Sequence, residues 1–248
     1  MLRLIASALL MLIPGTASAA IFVDDDRVTL RADRDLAPVG TVTGGLHVVY
    51  GSGFLIDECT VLTARHVGGS IDNILGTPLS FKAANLASVG IVVAAGQSDP
   101  GSSEQRSLDR DWMVIRLKHC LGRRLGFFHL SSAAALYAGN RVIKVESAGY
   151  PRDRLVSAGV TIDPDCRVFW VARGQMGHDC ATLPGNSGGP LLVRRGDSLL
   201  AVGINAAGWD RARPEPFRAN DANLAIDVGY IANAICRVIA KPNNVFCQ

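Results

Sequence analysis

The chain has 248 residues, with 25 lysines and arginines against 22 aspartates and glutamates, for a formal net charge of +3. Such a nearly balanced charge argues against polyanion binding as the main function, because nucleic-acid-binding surfaces concentrate basic residues. Arg123, Arg124, Arg152 and Arg154 are scattered along the sequence and are predicted to be solvated surface residues. We therefore expect no nucleic-acid partner.

Residues 1–20 are predicted to be a signal peptide. Arg3 supplies a positive start, residues 4–13 an apolar stretch, and the small residues 17–19 (ASA) a cleavage site. Pro14 ends the apolar stretch well before the roughly 20 residues that a membrane-spanning helix needs. The mature protein is expected to be secreted or periplasmic, without membrane association.

Short apolar runs separated by turn residues predict strands along most of the remaining chain. Regular short strands joined by Gly- and Pro-bearing turns are typical of a β-barrel or β-sandwich. The predicted strands lie at 46–50, 53–57, 60–63, 91–95, 112–117, 141–145, 168–172, 190–194, 199–205 and 224–228.

Helices and loops are predicted from helical periodicity and from polar composition. Apolar residues recur at helical spacing from 229 to 240 and predict a C-terminal helix, and 133–136 is predicted to form a brief helical turn. The polar, charged segments 98–109 and 209–223 contain Pro or Gly and are predicted to be surface loops.

Three segments together predict a nucleophilic serine. Residues 185–190 (GNSGGP) place Ser187 in a glycine-rich turn where backbone N–H groups can converge beside its hydroxyl. A serine needs a base, and residues 63–67 (TARHV) offer His66. Residues 111–117 (DWMVIRL) place Asp111 at the start of a strand.

The order of these residues separates two fold classes. The pentapeptide around Ser187 also matches the nucleophile elbow of α/β-hydrolases, whose histidine follows the serine. All the histidines of this chain precede Ser187, so that alternative has no base. The order His, Asp, Ser belongs instead to the two-barrel serine proteases.

These segments resemble a chymotrypsin-type serine protease, in particular the bacterial trypsin-like and glutamyl-endopeptidase (V8-like) branch. Residues 149–151 (GYP), 178–182 (HDCAT) and 203–205 (GIN) are similar to motifs of that branch. The resemblance implies an all-β fold of two antiparallel six-stranded β-barrels with a C-terminal helix. Residues 21–135 would form the barrel that carries His66 and Asp111, and residues 136–248 the barrel that carries Ser187.

The resemblance also implies a role for each site residue. Ser187 is the nucleophile, His66 the general base and Asp111 the residue that orients the imidazole. The backbone N–H groups of Gly185 and Ser187 would form the oxyanion hole. Asp109 competes with Asp111, which is preferred because an apolar strand follows it directly.

The specificity pocket is expected to be polar and uncharged. Ala181 stands where a trypsin-like pocket carries aspartate, and Thr182 matches a hydroxyl residue of glutamyl endopeptidases. Asn205 stands where those enzymes have a histidine. The remaining lining comes from backbone groups able to pair with an extended substrate, at Ala206, Ala207 and Gly208.

Six cysteines remain in the mature chain, an even number that predicts disulfides in an exported protein. Each favoured pair is local to one barrel or to the tail: Cys59–Cys120 flanks the strands of His66 and Asp111, Cys166–Cys180 brackets a hairpin, and Cys236–Cys247 closes the tail. Other pairings stay open. Metal binding by His178 and Cys180 is the alternative, but their spacing matches no common zinc pattern.

The sequence therefore predicts a monomeric, secreted serine endopeptidase that acts on protein or peptide substrates and needs no cofactor or metal. A triad-dependent esterase and a non-catalytic binding homologue of the protease fold remain as alternatives. The expected specificity is for small or medium uncharged residues before the scissile bond.

Overall fold

The structure, a computed structural model, describes residues 21–22, 25–44, 49–69, 73–97, 108–137, 141–208, 217–239 and 245–247. The predicted signal peptide at 1–20 lies outside the described residues, as do most of the predicted loops at 98–109 and 209–223 and part of the predicted strand at 46–50. Within the described part of the chain, no helix is both long enough and apolar enough to span a membrane.

The first half of the chain forms a closed barrel. Its strands are antiparallel, in the order β2-β3-β4-β7-β6-β5. Their bounds are β2 (Val39–Gly44), β3 (Val49–Leu55), β4 (Thr60–Thr63), β5 (Pro78–Ala83), β6 (Leu86–Ala95) and β7 (Met113–Leu117). Alternate residues of β5 are buried, as expected for a strand with one face toward the barrel interior.

The second half forms the other barrel, in the order β9-β10-β11-β14-β13-β12. It closes because β9 pairs with both β10 and β12. Its strands are β9 (Ile143–Gly149), β10 (Val160–Ala172), β11 (Gln175–His178), β12 (Pro190–Arg195), β13 (Ser198–Ala207) and β14 (Asn223–Asp227). The chymotrypsin-like fold of two six-stranded antiparallel barrels, expected from the resemblance, is confirmed.

Two short strands lie outside the barrel order. β1 (Val28–Leu30) pairs antiparallel with β10, so the start of the described chain docks on the second barrel although it precedes the first in sequence. β8 (His129–Leu130) pairs parallel with β13 on the way from one barrel to the other. The barrels are therefore connected by more than one segment.

The described helices are short: α1 (Gly122–Leu125), α2 (Ala133–Leu136) and α3 (Ala232–Cys236), with 3-10 turns at Arg65–Gly68, Leu108–Arg110, Val156–Ala158, Ala219–Asp221 and Val245–Cys247. α2 coincides with the predicted helical turn. α3 is shorter than the predicted helix at 229–240. The first residues of the predicted helix are not helical. The backbone N–H of Gly229 donates to Asp227 Oδ1 at 2.9 Å, and a Cβ at position 229 would collide with Ser132.

One buried apolar cluster includes residues of both barrels, and a second cluster lies within the second barrel. Phe54, Phe81 and Ile115 from the first barrel belong to the same buried cluster as Ile204 and Ile226 from the second. Each such side chain contributes about 1.5–3 kcal/mol when it is fully removed from water. The barrel interface, where the segments of His66, Asp111 and Ser187 meet, is therefore supported by continuous apolar packing.

Candidate active site

His66 lies in the 3-10 turn Arg65–Gly68 that directly follows β4. All residues of β4 are buried, so the chain leaves the barrel only after Thr63. The His66 side chain is 35% exposed, which leaves the imidazole accessible from solvent at the end of the strand.

Asp111 lies at the same end of the barrel because β4 and β7 are antiparallel neighbours. Thr63, the last residue of β4, pairs with Met113, the first residue of β7. The Asp111 carboxylate contacts His66 twice: Oδ2 lies 2.6 Å from Nδ1, and Oδ1 accepts from the backbone N–H of His66 at 2.8 Å. The Asp111 carbonyl accepts from the backbone N–H of Arg65 at 3.1 Å.

These contacts define which imidazole nitrogen can act as a base. With the carboxylate at Nδ1, the Nδ1–H tautomer is favoured, so Nε2 is the nitrogen able to accept a proton. Asp109, the competing carboxylate, lies instead near the hydroxyl of Tyr230 at 3.5 Å. The structure thus brings His66 together with Asp111.

Ser187 lies in a tight turn between β11 and β12. The turn is held by its own backbone, since Asn186 N–H donates to the Leu183 carbonyl at 3.0 Å and Gly189 N–H donates to the Asn186 carbonyl at 2.8 Å. Gly188 N–H donates to the Asn205 carbonyl at 2.7 Å and ties the turn to β13. Ser187 itself is partly exposed.

The turn abuts the strands that carry His66. The Ser187 carbonyl accepts from the backbone N–H of Ser52 in β3 at 2.8 Å. A Cβ added at Gly188 would collide with Thr63 Oγ1 and would lie 2.9 Å from the backbone nitrogen of Ala64. The segment of Ser187 therefore packs against the residues that immediately precede His66.

Gly185 has a conformation that favours glycine, with φ of +106°. Both peptide groups that flank it are held by other segments. The Pro184 carbonyl accepts from the backbone N–H of Arg152 at 2.8 Å, and the Gly185 carbonyl accepts from Ser52 Oγ at 2.7 Å. A Cβ at position 185 would lie 2.5 Å from the Tyr150 carbonyl oxygen, so this close approach also requires glycine.

The segment at 149–151 is in turn fixed from the first barrel. Tyr50 donates its hydroxyl to the Tyr150 carbonyl at 2.9 Å. Burial raises the pKa of Tyr50 to about 12, so the phenol remains a donor at any physiological pH. The segment 149–151 (GYP) therefore supports the Gly185 turn.

The residues expected to line the pocket lie around β13 and the segment before the turn. Ala181, Thr182, Asn205 and Ala206 are buried, whereas Ala207 and Gly208 are partly exposed. Asn205 donates from Nδ2 to Ser147 Oγ at 2.8 Å. Its amide is thus engaged inside the second barrel.

Asp163, a buried residue of β10, holds the backbone of Ala181, one of the residues expected to line the pocket. Its Oδ2 accepts from the backbone N–H of Ala181 at 2.6 Å and its Oδ1 from that of Asp165 at 3.3 Å. Burial raises the pKa of Asp163 to about 6, despite these N–H donors, which favour the carboxylate. A polar anchor therefore stands behind Ala181, where sequence analysis expected only the absence of a pocket charge.

His178, at the end of β11, is fully buried and pairs in register with Asn223 of β14. Burial lowers the pKa of His178 to about 3, although the backbone at Leu224 and the side chain of Asn205 favour the charged form. The imidazole is therefore neutral throughout the physiological pH range. It supplies no cation beneath Asn205.

The structure contains the three disulfides that the sequence favours: Cys59–Cys120, Cys166–Cys180 and Cys236–Cys247. Asp163 lies near the second pair, in a group of potential metal ligands. Because those two sulfurs are bonded to each other, neither can serve as a thiolate ligand, and the carboxylate is the single ligand left in this group.

Sequence reasoning missed three residues that hold the site: Ser52, Asp163 and the backbone of Arg152. Ser52 had one signal, a hydroxyl residue between two glycines at the centre of an apolar strand (51–54, GSGF). A buried hydroxyl in such a place must find hydrogen-bond partners. Neither Asp163 nor Arg152 carries a comparable local signal.

Comparison with known proteins relates the chain to proteases. The family model described as Trypsin matches residues 41–235. A solved structure described as Glu endopeptidase in complex with MPD superposes with a TM-score of 0.62 at 18% identity, over 86% of this chain and 98% of that one. The structure of an inactive form of the Rv3671c protease gives a TM-score of 0.55 at 16% identity, over 83% of this chain and 91% of that one. No curated protein sequence gives a significant match.

Proposed function

Since this chain belongs to the trypsin family and is a serine endopeptidase, we propose that it cleaves peptide bonds with a triad of Ser187, His66 and Asp111. The observation that carries the proposal is the double contact of Asp111 with His66, at Nδ1 (2.6 Å) and at the backbone nitrogen (2.8 Å). The contact at Nδ1 favours the Nδ1–H tautomer of His66, and the contact at the backbone nitrogen fixes the position of the turn that carries the imidazole.

The reaction follows from the roles that this geometry permits. Ser187 Oγ attacks the carbonyl carbon of the scissile bond while His66 Nε2 takes the hydroxyl proton, which forms a tetrahedral intermediate. The same proton passes to the leaving amine, and an acyl-enzyme remains. Water, activated by His66, then releases the acyl group and restores Ser187. Asp111 stabilises the imidazolium in both halves of the reaction.

The backbone N–H groups of Gly185 and Ser187 are the proposed oxyanion donors. Preorganised donors of this kind typically contribute about 3 kcal/mol each to transition-state stabilisation. Support comes from the two hydrogen bonds that hold the peptide groups on either side of Gly185, at the Pro184 and Gly185 carbonyls. Such donors need no rearrangement when the negative charge develops.

The proposed specificity is for small or medium uncharged residues before the scissile bond. Ala181 offers no carboxylate, the Asn205 amide is engaged with Ser147, and His178 behind it is neutral. A charged substrate side chain would leave water for a site with no opposite charge among these residues, which is strongly unfavourable.

We also infer that the protein acts outside the reducing cytosol. Three disulfides are typical of exported proteins, because cytosolic thiols are kept reduced. The predicted signal peptide agrees with this location and stays a prediction.

The proposal is tested by labelling the purified mature protein with a fluorophosphonate probe and by profiling its cleavage of a peptide library. We expect the label on Ser187, cleavage after uncharged residues, and loss of both label and cleavage in Ser187→Ala with an unchanged unfolding midpoint. The loss in kcat should reach about 10⁴-fold or more, because triad members act as a unit.

Three outcomes would overturn parts of this proposal. Near-wild-type peptide turnover by Ser187→Ala would exclude the triad. Hydrolysis of esters without hydrolysis of the matching peptides would make the protein an esterase. Cleavage mainly after Glu, or mainly after Arg and Lys, would show that the pocket contains a charge that these residues do not provide.

A further inference from the structure

We propose that Ser52, in β3 of the first barrel, is a positioning residue that holds the oxyanion-binding backbone at Gly185 across the barrel interface. The inference rests on the proposed function, because it concerns how the oxyanion hole of that site is held in place.

Ser52 is fully buried and contacts the site with its side chain and its backbone. Its hydroxyl donates to the Gly185 carbonyl at 2.7 Å and accepts from the backbone N–H of Tyr150 at 2.8 Å. Its backbone N–H donates to the Ser187 carbonyl at 2.8 Å, and its carbonyl accepts from Thr63 Oγ1 at 2.6 Å. One residue therefore contacts both proposed oxyanion residues and the strand that leads to His66.

The hydroxyl bond restrains a part of the chain that would otherwise rotate easily. Gly185, at φ +106°, has no side chain to limit its torsions. Each peptide group is planar, so holding a carbonyl also fixes the direction of the N–H on the same peptide plane. Arg152 N–H holds the plane before Gly185 through the Pro184 carbonyl, and Ser52 Oγ holds the plane after it. With both planes held, the Gly185 N–H keeps one direction.

The pocket around the hydroxyl is built to its size. A Cβ added at Gly149 would lie only 2.9 Å from Ser52 Oγ, so the glycine leaves room for this oxygen and little more. Removing the hydroxyl would leave a buried N–H at Tyr150 and a buried carbonyl at Gly185 without this partner. The peptide plane between Gly185 and Asn186 is then expected to turn toward another donor. The Gly185 torsions, which join this plane to the one that carries the Gly185 N–H, would change with it and lose one of their two restraints.

Ser88 in β6 offers a matched control. Its hydroxyl also bridges two backbone groups, accepting from His119 N–H at 3.0 Å and donating to the Val89 carbonyl at 3.1 Å, and it is nearly buried. None of these residues belongs to the site segments. Ser52→Ala and Ser88→Ala therefore remove the same chemistry, and only the first removes it beside the site.

The test compares the two variants as full mature proteins on one cleaved peptide. Ser52→Ala should lower kcat by about 10- to 100-fold, less than the loss of an oxyanion donor itself, with KM within about 2-fold of wild type. Ser88→Ala should keep the wild-type kcat while lowering the urea midpoint of unfolding.

A pair of inhibitors separates positioning from general damage. A peptide aldehyde of the substrate sequence forms a hemiacetal with Ser187 that places an oxyanion in the hole, whereas the matching peptide alcohol cannot be attacked. Ser52→Ala should weaken binding of the aldehyde by the same factor by which it lowers kcat, and it should leave binding of the alcohol unchanged. If Ser52→Ala does not fold, Ser52→Cys keeps a weaker donor in place and should give a smaller fall in kcat with the same split between the inhibitors.

A wild-type kcat in the folded Ser52 variant, or an equal loss of aldehyde and alcohol binding, would overturn the positioning role. Neither result would affect the triad, which the Ser187→Ala and labelling experiments test separately.

Discussion

The two sides of the candidate site are held in place by different parts of the molecule. His66 and Asp111 are bonded to each other within the first barrel, at the paired ends of β4 and β7. The Ser187 turn belongs to the second barrel, yet its Gly185 and Ser187 carbonyls are held by Ser52 of the first. The position of His66 therefore depends on the folding of one barrel, whereas the position of the Ser187 turn depends on the docking of both.

The largest expected effect tests the side that is held within one barrel. Asp111→Asn should lower kcat by about 10⁴-fold, because an amide at this position favours the wrong imidazole tautomer while the fold is kept. Asp109→Asn is the matched control, since Asp109 lies two residues away and contacts Tyr230 rather than His66. Steady-state kinetics on one peptide measures both variants.

The reverse result, a large loss in Asp109→Asn with little change in Asp111→Asn, would assign the third member of the triad to Asp109. The double contact with His66 would then have no role in catalysis.

A smaller effect is expected when the turn held between the barrels is disturbed. Gly185→Ala should lower kcat by about 10²- to 10³-fold, because the added Cβ would lie 2.5 Å from the Tyr150 carbonyl and must displace the proposed oxyanion donor. Gly76→Ala separates this displacement from simple strain. Gly76 also has a positive φ, of +80°, but an added Cβ there meets no atom within 4 Å.

The control variant Gly76→Ala should lose roughly 1 kcal/mol of stability and no activity. If Gly185→Ala keeps its kcat while losing stability like the control, the backbone at Gly185 does not bind the oxyanion.

The smallest effect concerns the pH dependence of stability on the second-barrel side. The pKa of Asp163 is raised to about 6 by burial, so the folded state keeps a proton that the unfolded state loses near pH 4. The free energy of unfolding should therefore fall as pH rises from about 4 to about 6, by at most about 3 kcal/mol. Asp163→Asn should abolish this fall, which urea unfolding at several pH values measures.

Asp25 is expected to change the pH dependence of stability in the opposite direction to Asp163. Its hydrogen bonds with Arg27 lower its pKa to about 2, so its contribution to stability is present above about pH 4 and is lost as pH falls toward 2. Asp25→Asn should therefore change the acid limb only. An unchanged slope between pH 4 and 6 in Asp163→Asn would show that this carboxyl is ionised in the folded protein.

Much of the fold could be predicted from residue patterns, and the misses have physical reasons. Strands β4, β7, β12 and β13 carry continuous apolar runs and were expected within a few residues of their bounds. β2 was missed because two of its residues are glycine and two threonine, and β5 because it begins with proline. Both are strands through their pairing with neighbours in the barrel, which no local pattern reports.

The candidate site divides in the same way. His66, Asp111 and Ser187 were identified from short motifs, and the structure brings His66 to Asp111 as those motifs imply. Ser52 was overlooked because its partner Gly185 is 133 residues away. Asp163 was overlooked because only burial makes its carboxyl unusual.

The sequence by itself determined the chemical groups, the order of the motifs that carry His66, Asp111 and Ser187, and the glycine-rich composition of the turn at 185–190. These are properties of neighbouring residues, and local torsions and side-chain types decide them. The tertiary structure alone decided that β1 docks on the second barrel, that His178 is neutral, and that Ser52 holds Gly185. Those features depend on desolvation and on hydrogen bonds between residues far apart in the chain, and both arise only when the two barrels pack together.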